Sequence, residues 1–150
     1  MIQNQATFTN LQNLENSSFF KLGKAALKFS EKIPNQKLAQ RLGNALGKYV
    51  SLINLTLDFS WNPLGEKEAS FIFQGLGKCI NLQYLALQMS SNKIGDTTLK
   101  ILMAELQNCR NINELMIDLN KNSIADHGAA IIGDLIGLIQ NLEVVVLDLR

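Results

Sequence analysis

The sequence predicts an α/β solenoid in which a curved parallel sheet lines one side and helices line the other. Two observations predict it. From residue 51 onwards, apolar columns recur every 30 residues without a gap, which is the pattern of a repeat array. Within each unit the apolar spacing changes from every second residue, as in a strand, to every third or fourth, as in a helix. One strand and one helix cannot bury both apolar faces alone, so the units must stack.

The strand of each unit is marked by apolar residues that alternate with polar ones. In the first unit these residues are Leu55, Leu57 and Phe59. The same columns are filled in the later units by Leu85, Leu87 and Met89, by Leu115, Ile117 and Leu119, and by Val145, Leu147 and Leu149. Side chains on a strand alternate between its two faces, so these columns predict one buried face on a parallel sheet.

The helix of each unit follows a polar turn. In the first unit Ala69, Ile72, Leu76 and Cys79 show the spacing of a buried helical stripe. The equivalent stripes are Leu99, Leu102, Leu106 and Cys109, and Ala129, Ile132, Ile136 and Ile139. Each helix is preceded by an acid, which is Glu66, Asp96 or Asp126. A carboxylate at that place stabilises the unpaired N–H groups of a helix N-terminus.

The turn between strand and helix carries a motif that resembles a known family. Leu57-x-Phe59-x-x-Asn62-x-Leu64 recurs with Asn92 and Asn122, and it is similar to the LxLxxNxL core of leucine-rich repeats. The helix entry resembles the ribonuclease-inhibitor-like class, in 30-residue versions like those of ciliated protists. The resemblance implies that Asn62, Asn92 and Asn122 form a structural ladder to backbone groups, and that the concave sheet carries the ligand.

Residues 1–50 are expected to form an N-terminal cap or degenerate repeat, ahead of three full repeats and the strand of a fourth in residues 51–150. Residues 18–33 allow two interpretations. In one they continue the array backwards, because Leu27-Lys28-Phe29 matches Leu57-Asp58-Phe59. In the other, which we favour, they form an amphipathic helix that ends at Pro34, followed by a second helix over 36–49. The fold class predicted is therefore a leucine-rich-repeat solenoid with a helical cap.

The C-terminus and the charge distribution lead to further expectations. The sequence stops in mid-strand at Arg150, so we expect the chain to be part of a longer protein or assembly. Residues 1–50 hold seven basic and two acidic residues, a net +5, while residues 51–150 hold seven and eleven, a net −4. A basic stripe on the repeats, as nucleic-acid binding requires, is not expected. Contact with nucleic acid or membrane is not expected either; the one surface that would allow it is the lysine face formed by Lys21, Lys24, Lys28 and Lys32.

Reactive chemistry is not indicated by the residues that could supply it. His127 is the single histidine and occupies a helix entry. Cys79 and Cys109 share a column with Ile139, which predicts packing and not metal binding. Gly75-x-Gly77 and Gly133-x-x-x-Gly137 lie inside predicted helices, where small residues permit close packing, and lack the strand–loop–helix context of a phosphate site. We therefore expect no enzyme activity, no cofactor and no metal.

The candidate binding site is the sheet face that points away from the helices, called here the open sheet face. Alternation places Asp58, Gln88, Asp118 and Asp148 in one column there, with Tyr84 and Met116 as possible anchors. The full set of candidates is Asn54, Thr56, Asp58, Tyr84, Gln88, Glu114, Met116, Asp118 and Asp148. A second candidate is a lateral interface on the last helix, formed by Ile131, Leu135 and Leu138, with packing on a following repeat as the alternative.

These features predict a non-catalytic protein–protein interaction scaffold, either an adaptor or a structural subunit. Its acidic column favours a partner with basic or amide-rich patches. The resemblance also implies an alternative, a regulator of the type that activates the Ran GTPase. No secretory signal is visible at the N-terminus, so the expected location is the cytoplasm, with a cytoskeletal or ciliary assembly or the nucleus left open.

Overall fold

The computed structural model describes residues 5–17, 23–28 and 35–150. Strands and helices alternate along the described chain. The strands are β1 Gln5–Phe8, β2 Lys24–Lys28, β3 Asn54–Asp58, β4 Tyr84–Gln88, β5 Glu114–Asp118 and β6 Val144–Asp148. The helices are α1 Leu11–Asn16, α2 Gln36–Leu46, α3 Glu66–Leu76, α4 Asp96–Leu106 and α5 Asp126–Leu138.

The six strands form one parallel sheet in sequence order. From β2 onwards each strand pairs with the next at an offset of 30 residues, so Leu27, Leu57 and Leu87 lie side by side. The same register continues to Ile117 and Leu147. The helices pack on one face of this sheet, and the core lies between the two layers. The predicted solenoid of stacked strand–helix units is confirmed.

The N-terminal part differs from the favoured prediction. A helix was expected over residues 18–33, but residues 24–28 form β2, which pairs with β3. Ala25 and Leu27 are buried in the core, and the Gly23 carbonyl accepts hydrogen bonds from the N–H groups of Ile53 and Asn54. The helix interpretation is wrong for these residues because sheet pairing outweighs a local helical pattern. The rest of that prediction, with Lys21 and Lys32, lies outside the described residues.

Two elements precede β2, and neither was predicted. β1 pairs with β2, and α1 packs against α2. Arg41 on α2 forms a bidentate ion pair with Glu15 on α1, with Nη2 and Oε2 2.6 Å apart. Strands and helices therefore also alternate in the described part of residues 1–50.

The asparagines of the turn tie neighbouring units together. The Asn92 side-chain amide donates to the carbonyls of Met89 in its own unit (3.0 Å) and Phe59 in the preceding one (2.9 Å), and its Oδ1 accepts from the Leu64 N–H at 3.0 Å. Asn122 makes the equivalent bonds to Leu119, Met89 and Ile94. Asn62 donates to the Phe59 carbonyl at 3.1 Å. These bonds satisfy buried backbone groups that would otherwise be costly.

A second asparagine ladder lies at the other end of the strands. Asn81, Asn111 and Asn141 each donate to a carbonyl of the preceding unit, at Val50 (2.8 Å), Ile80 (3.2 Å) and Arg110 (3.0 Å). Sequence reasoning missed this ladder, although the three residues recur at the 30-residue period. The units are therefore joined by side-chain amides at both ends of the strands.

The helix column that contains the cysteines has a structural role. The Cys79 thiol donates to the carbonyl of Leu46 and the Cys109 thiol to that of Leu76, at 3.6 and 3.7 Å. These carbonyls belong to the last residues of α2 and α3, and each also accepts a backbone N–H, from Tyr49 and Cys79 respectively. Burial raises the pKa of Cys79 to about 12 and that of Cys109 to about 11. Both thiols therefore behave as packing groups and not as nucleophiles.

The glycines in the helices differ in how closely they are packed. A Cβ atom on Gly75 would overlap the Gly43 carbonyl, so α2 and α3 approach closely at this pair. By contrast, a Cβ atom on Gly133 or Gly137 would meet nothing within 4 Å. The prediction that small residues permit close packing is correct for Gly75 and wrong for Gly133 and Gly137.

Candidate functional site

The open sheet face presents three columns of side chains because the strands are parallel and in register. The first column holds Lys24, Asn54, Tyr84, Glu114 and Val144. The middle column holds Ala26, Thr56, Ala86, Met116 and Val146. The third column holds Lys28, Asp58, Gln88, Asp118 and Asp148. Neighbouring members of a column lie about 4.8 Å apart, the spacing of paired strands.

A pocket of about 270 Å³ lies on this face over β4, β5 and β6, with Thr56 of β3 also in its lining. Six of the predicted binding residues line it, namely Thr56, Tyr84, Gln88, Met116, Asp118 and Asp148. Asn54, Asp58 and Glu114 lie on the same face but outside the pocket lining. Ala86, Leu87, Ile117 and Val146 complete the lining, and sequence reasoning did not select them.

The middle of the pocket is apolar. Met116 is 38% exposed and Val146 47%, and Ala86 lies between Thr56 and Met116 in the same column. The Tyr84 hydroxyl lies 3.3 Å from the Met116 sulfur, a contact that holds both side chains in place. This surface can pack against an aliphatic group.

The acids of the third column also support the local backbone. One carboxylate oxygen of Asp58 accepts the N–H of Ser60 at 3.1 Å, Asp118 accepts that of Asn120 at 3.0 Å, and Asp148 accepts that of Arg150 at 3.2 Å. Such bonds from an aspartate to the backbone two residues on are typical of turns. The acidic column is therefore fixed in orientation, a feature that the Asp-x-polar spacing could have signalled.

Asp148 also binds an arginine of its own chain. The Arg150 guanidinium donates through Nε to Oδ1 at 3.0 Å and through Nη2 to Oδ2 at 2.7 Å. The hydrogen bonds from Arg150 hold the pKa of the Asp148 carboxyl at about 2, below its usual range. The Arg150 side chain remains 83% exposed. The carboxylate is thus ionised and already holds a guanidinium in a two-point contact.

The charge on the open sheet face changes sign from one end to the other. Lys24 and Lys28, which the helix interpretation placed on a cap surface, lie on β2 in register with Asn54 and Asp58. Lys28 therefore stands next to Asp58, whereas Asp118 and Asp148 adjoin each other on β5 and β6. Over the last two strands, beside the pocket, the two carboxylates and the Arg150 guanidinium leave a net charge of −1.

A tryptophan near this face was not selected by sequence reasoning. Trp61, Ser91 and Lys121 occupy one column of the turn, and all three have positive φ angles, of 63°, 55° and 54°. A bulky residue in this region of the Ramachandran plot is unusual. The Trp61 side chain is 68% exposed, and the Lys121 Nζ lies 5.5 Å from its ring centroid, within cation–π range.

The second candidate surface, on α5, requires a correction. Ile131 and Leu135 are buried, at 6% and 2% exposure, and of the three predicted residues Leu138 alone is exposed. The reason is that α5 packs on α4 and buries Gly128, Ile131, Ile132 and Leu135; Leu135 lies in the same column as Gly75, which also faces the preceding helix. Gly128 lies against α4 as well, because a Cβ atom there would overlap the Asp96 carboxylate. The predicted lateral interface therefore reduces to Leu138.

The other candidate sites offer fewer groups for binding or catalysis. A depression of about 530 Å³ at the strand N-termini is lined mainly by amides, and two of these, Asn111 and Asn141, already bond to backbone carbonyls. His127 is exposed in the first turn of α5. Among residues 5–17, 23–28 and 35–150, no three His, Cys, Asp or Glu side chains are grouped as a metal site would need. Within those ranges, the helices are also too short or too polar to cross a membrane.

The sequential parallel strands, the helix in each unit and the asparagine-stabilised turn define the fold as a leucine-rich-repeat solenoid. No protein-family model matches the sequence, and no curated protein matches it. Among solved structures, internalin C2 from Listeria monocytogenes is similar over 93% of this chain and 66% of its own, with 18% sequence identity and a TM-score of 0.42. The match thus spans just under two thirds of that protein's length.

Proposed function

We propose that this chain is a protein–protein interaction module, an adaptor or structural subunit, that binds its partner on the open sheet face. One observation carries the proposal: the pocket over β4, β5 and β6 brings together six side chains that alternate along separate strands. They combine an aromatic ring, a thioether and two carboxylates, a mixture of apolar anchors and polar groups that suits protein recognition.

The scaffold behind the face supports this role. The face is built on paired strands and on aspartates whose carboxylates are held by backbone N–H groups. Binding groups on rigid elements lose less conformational freedom on association than groups on loops. We further propose that the repeats are of the ribonuclease-inhibitor-like class and that the protein acts in the cytoplasm; the free, buried state of Cys79 and Cys109 supports a reducing compartment.

Affinity capture with matched variants tests the binding surface. The wild-type chain, Met116→Arg on the open sheet face and Ala104→Arg on the exposed side of α4 would each be used to capture proteins from cells that express the native protein. We expect a set of proteins retained by wild type and Ala104→Arg and lost with Met116→Arg, while circular dichroism shows all three folded. Capture of the same proteins by both variants would contradict the assignment of the open sheet face.

A further inference from the structure

We propose that the pocket on the open sheet face receives a single arginine or lysine side chain of the partner protein. The inference rests on the proposed function and deepens it by naming the group that is bound. Its basis is the combination, in one pocket, of an apolar wall and a pair of adjacent carboxylates.

The size and the wall of the pocket suit a long side chain. Its volume of about 270 Å³ falls just below the range of about 300–1,000 Å³ found for small-molecule sites. Ala86, Met116 and Val146 form a continuous apolar row across β4, β5 and β6. The methylene stem of an arginine or lysine packs on such a row while its charged head stays hydrated.

The charged head would lie between Asp118 and Asp148. These two residues are paired in register on adjacent strands, so their Cα atoms are separated by about 4.8 Å. Each fixes one carboxylate oxygen on a backbone N–H, which orients the group before a ligand arrives. A cation placed over β5 and β6 therefore meets two carboxylates at once.

Arg150 shows that one carboxylate of this pair, that of Asp148, accepts a guanidinium. It binds Asp148 through two hydrogen bonds, the fork geometry that arginine forms with carboxylates, and the negative charge of Asp118 also acts on it. Because the Arg150 side chain is 83% exposed, a partner's arginine can displace it. Arg150 is thus an internal competitor for the site.

The position of the pocket within the face also favours a cation. Asp58, the acid outside the pocket, is paired with Lys28, so its charge is partly balanced. Asp118 is paired in register with Gln88 and Asp148, and Arg150 binds Asp148. These two carboxylates and one guanidinium together carry a net charge of −1. A net negative charge therefore remains beside the apolar row.

Nuclear magnetic resonance with small probes tests the inference without knowledge of the partner. The probe is N-acetyl-arginine-N-methylamide, and its neutral isostere N-acetyl-citrulline-N-methylamide is the control. We expect the arginine probe to cause saturable shifts of the Met116 and Val146 methyl signals, and the citrulline probe to bind several-fold more weakly. Equal binding of the two probes, or no saturable shift at these methyl groups, would overturn the inference.

Two variants measure the separate effects of Asp118 and Arg150 on binding of the arginine probe. Asp118→Asn keeps an oxygen for the Asn120 N–H but removes the charge, and we expect it to weaken the arginine probe by about two- to fivefold, as for an exposed ion pair. Arg150→Gln removes the competitor and should strengthen binding about twofold or more. Weaker binding to Arg150→Gln than to the wild type would contradict the competition.

The failure of this inference can be distinguished from the failure of the proposed function. If Met116→Arg abolishes partner capture but the arginine probe does not bind, the open sheet face binds proteins by other groups and this inference fails. If the probe binds but capture is unaffected by Met116→Arg, the pocket stands as a cation site and the proposed function fails.

Discussion

Gly75 on α3 faces Gly43 on α2 so closely that neither position has room for a Cβ atom. On Gly75 the atom would overlap the Gly43 carbonyl, and on Gly43 it would overlap the Phe71 carbonyl. Because both obstacles are backbone atoms, they cannot move without shifting a helix. The pair therefore sets the distance between the first two long helices of the array.

This contact predicts opposite effects for two chemically identical substitutions. Gly75→Ala should lower the free energy of unfolding by about 1–2 kcal/mol, because overpacking exceeds the gain in helix propensity. Gly133→Ala, on α5, should raise it by about 0.5–1 kcal/mol, since the added methyl group meets nothing within 4 Å. Urea denaturation followed by circular dichroism measures both. Stabilisation by Gly75→Ala would show that the helices are farther apart than described.

The two asparagine ladders should contribute by different amounts to the free energy of unfolding. Asn92→Ala removes a partly buried network of several bonds that joins two units, and we expect a loss of about 2–3 kcal/mol. Asn81→Ala removes one exposed bond, to the Val50 carbonyl, and should cost less than about 1 kcal/mol. The comparison uses the same denaturation measurement. Equal losses for the two variants would argue against the turn ladder as the main link.

The backbone at Trp61 predicts an inverted preference between glycine and alanine. With a φ of 63°, Trp61→Gly should be more stable than Trp61→Ala by about 1 kcal/mol, because an L-residue is disfavoured in this region. Both variants lose the contact with Lys121, so that loss cancels. At Gln74, inside α3, the order should be reversed by about 1 kcal/mol. Thermal denaturation of the four variants provides the check.

The buried thiols should be unreactive in the folded protein. With a pKa of about 12 for Cys79 and about 11 for Cys109, very little thiolate is present at pH 8. We expect iodoacetamide to modify neither cysteine until urea unfolds the chain, as followed by mass spectrometry. Gln74→Cys, at an exposed position of α3, supplies a reactive control. Native modification of Cys79 or Cys109 at the control rate would contradict their burial.

The Asp148–Arg150 pair predicts a specific response to acid. The pKa of Asp148 is lowered to about 2 by hydrogen bonds from Arg150. A carboxyl whose pKa is lower in the folded state stabilises the fold above its unfolded pKa of about 4, and this contribution disappears as the pH falls towards 2. Carboxyl carbon shifts measured against pH should show the low value, and Arg150→Gln should return it towards 3.8. An unchanged value in the variant would exclude Arg150 as the cause.

Much of the fold could be predicted because it depends on columns that repeat. Leu57, Leu87 and Ile117 fall on one line of the sheet because a constant 30-residue step fixes the register. The strand at residues 24–28 was not favoured because Ala26 also fits an amphipathic helix with its neighbours. A local pattern does not show that a partner strand is adjacent, and here the pairing with β3 decides the structure.

The candidate site could also be predicted where it depends on the alternation of side chains along the strands. Alternation placed Tyr84, Met116 and Asp118 on one face, and the pocket brings them together. The guanidinium on Asp148 and the positive φ of Trp61 depend on turn geometry, which periodicity does not describe. The burial of Ile131 and Leu135 depends on how α5 packs on α4, a contact between helices that periodicity within one repeat does not describe.

The constant register has a consequence for how such a chain can change over time. From β2 onwards, the strand pairs and both asparagine ladders join residues about one step of 30 apart. Removing or copying one complete step therefore leaves each remaining unit with neighbours of the same kind. Recombination within the coding sequence can lengthen or shorten the array in whole units, and each added unit brings a new strip of three side chains to the binding face.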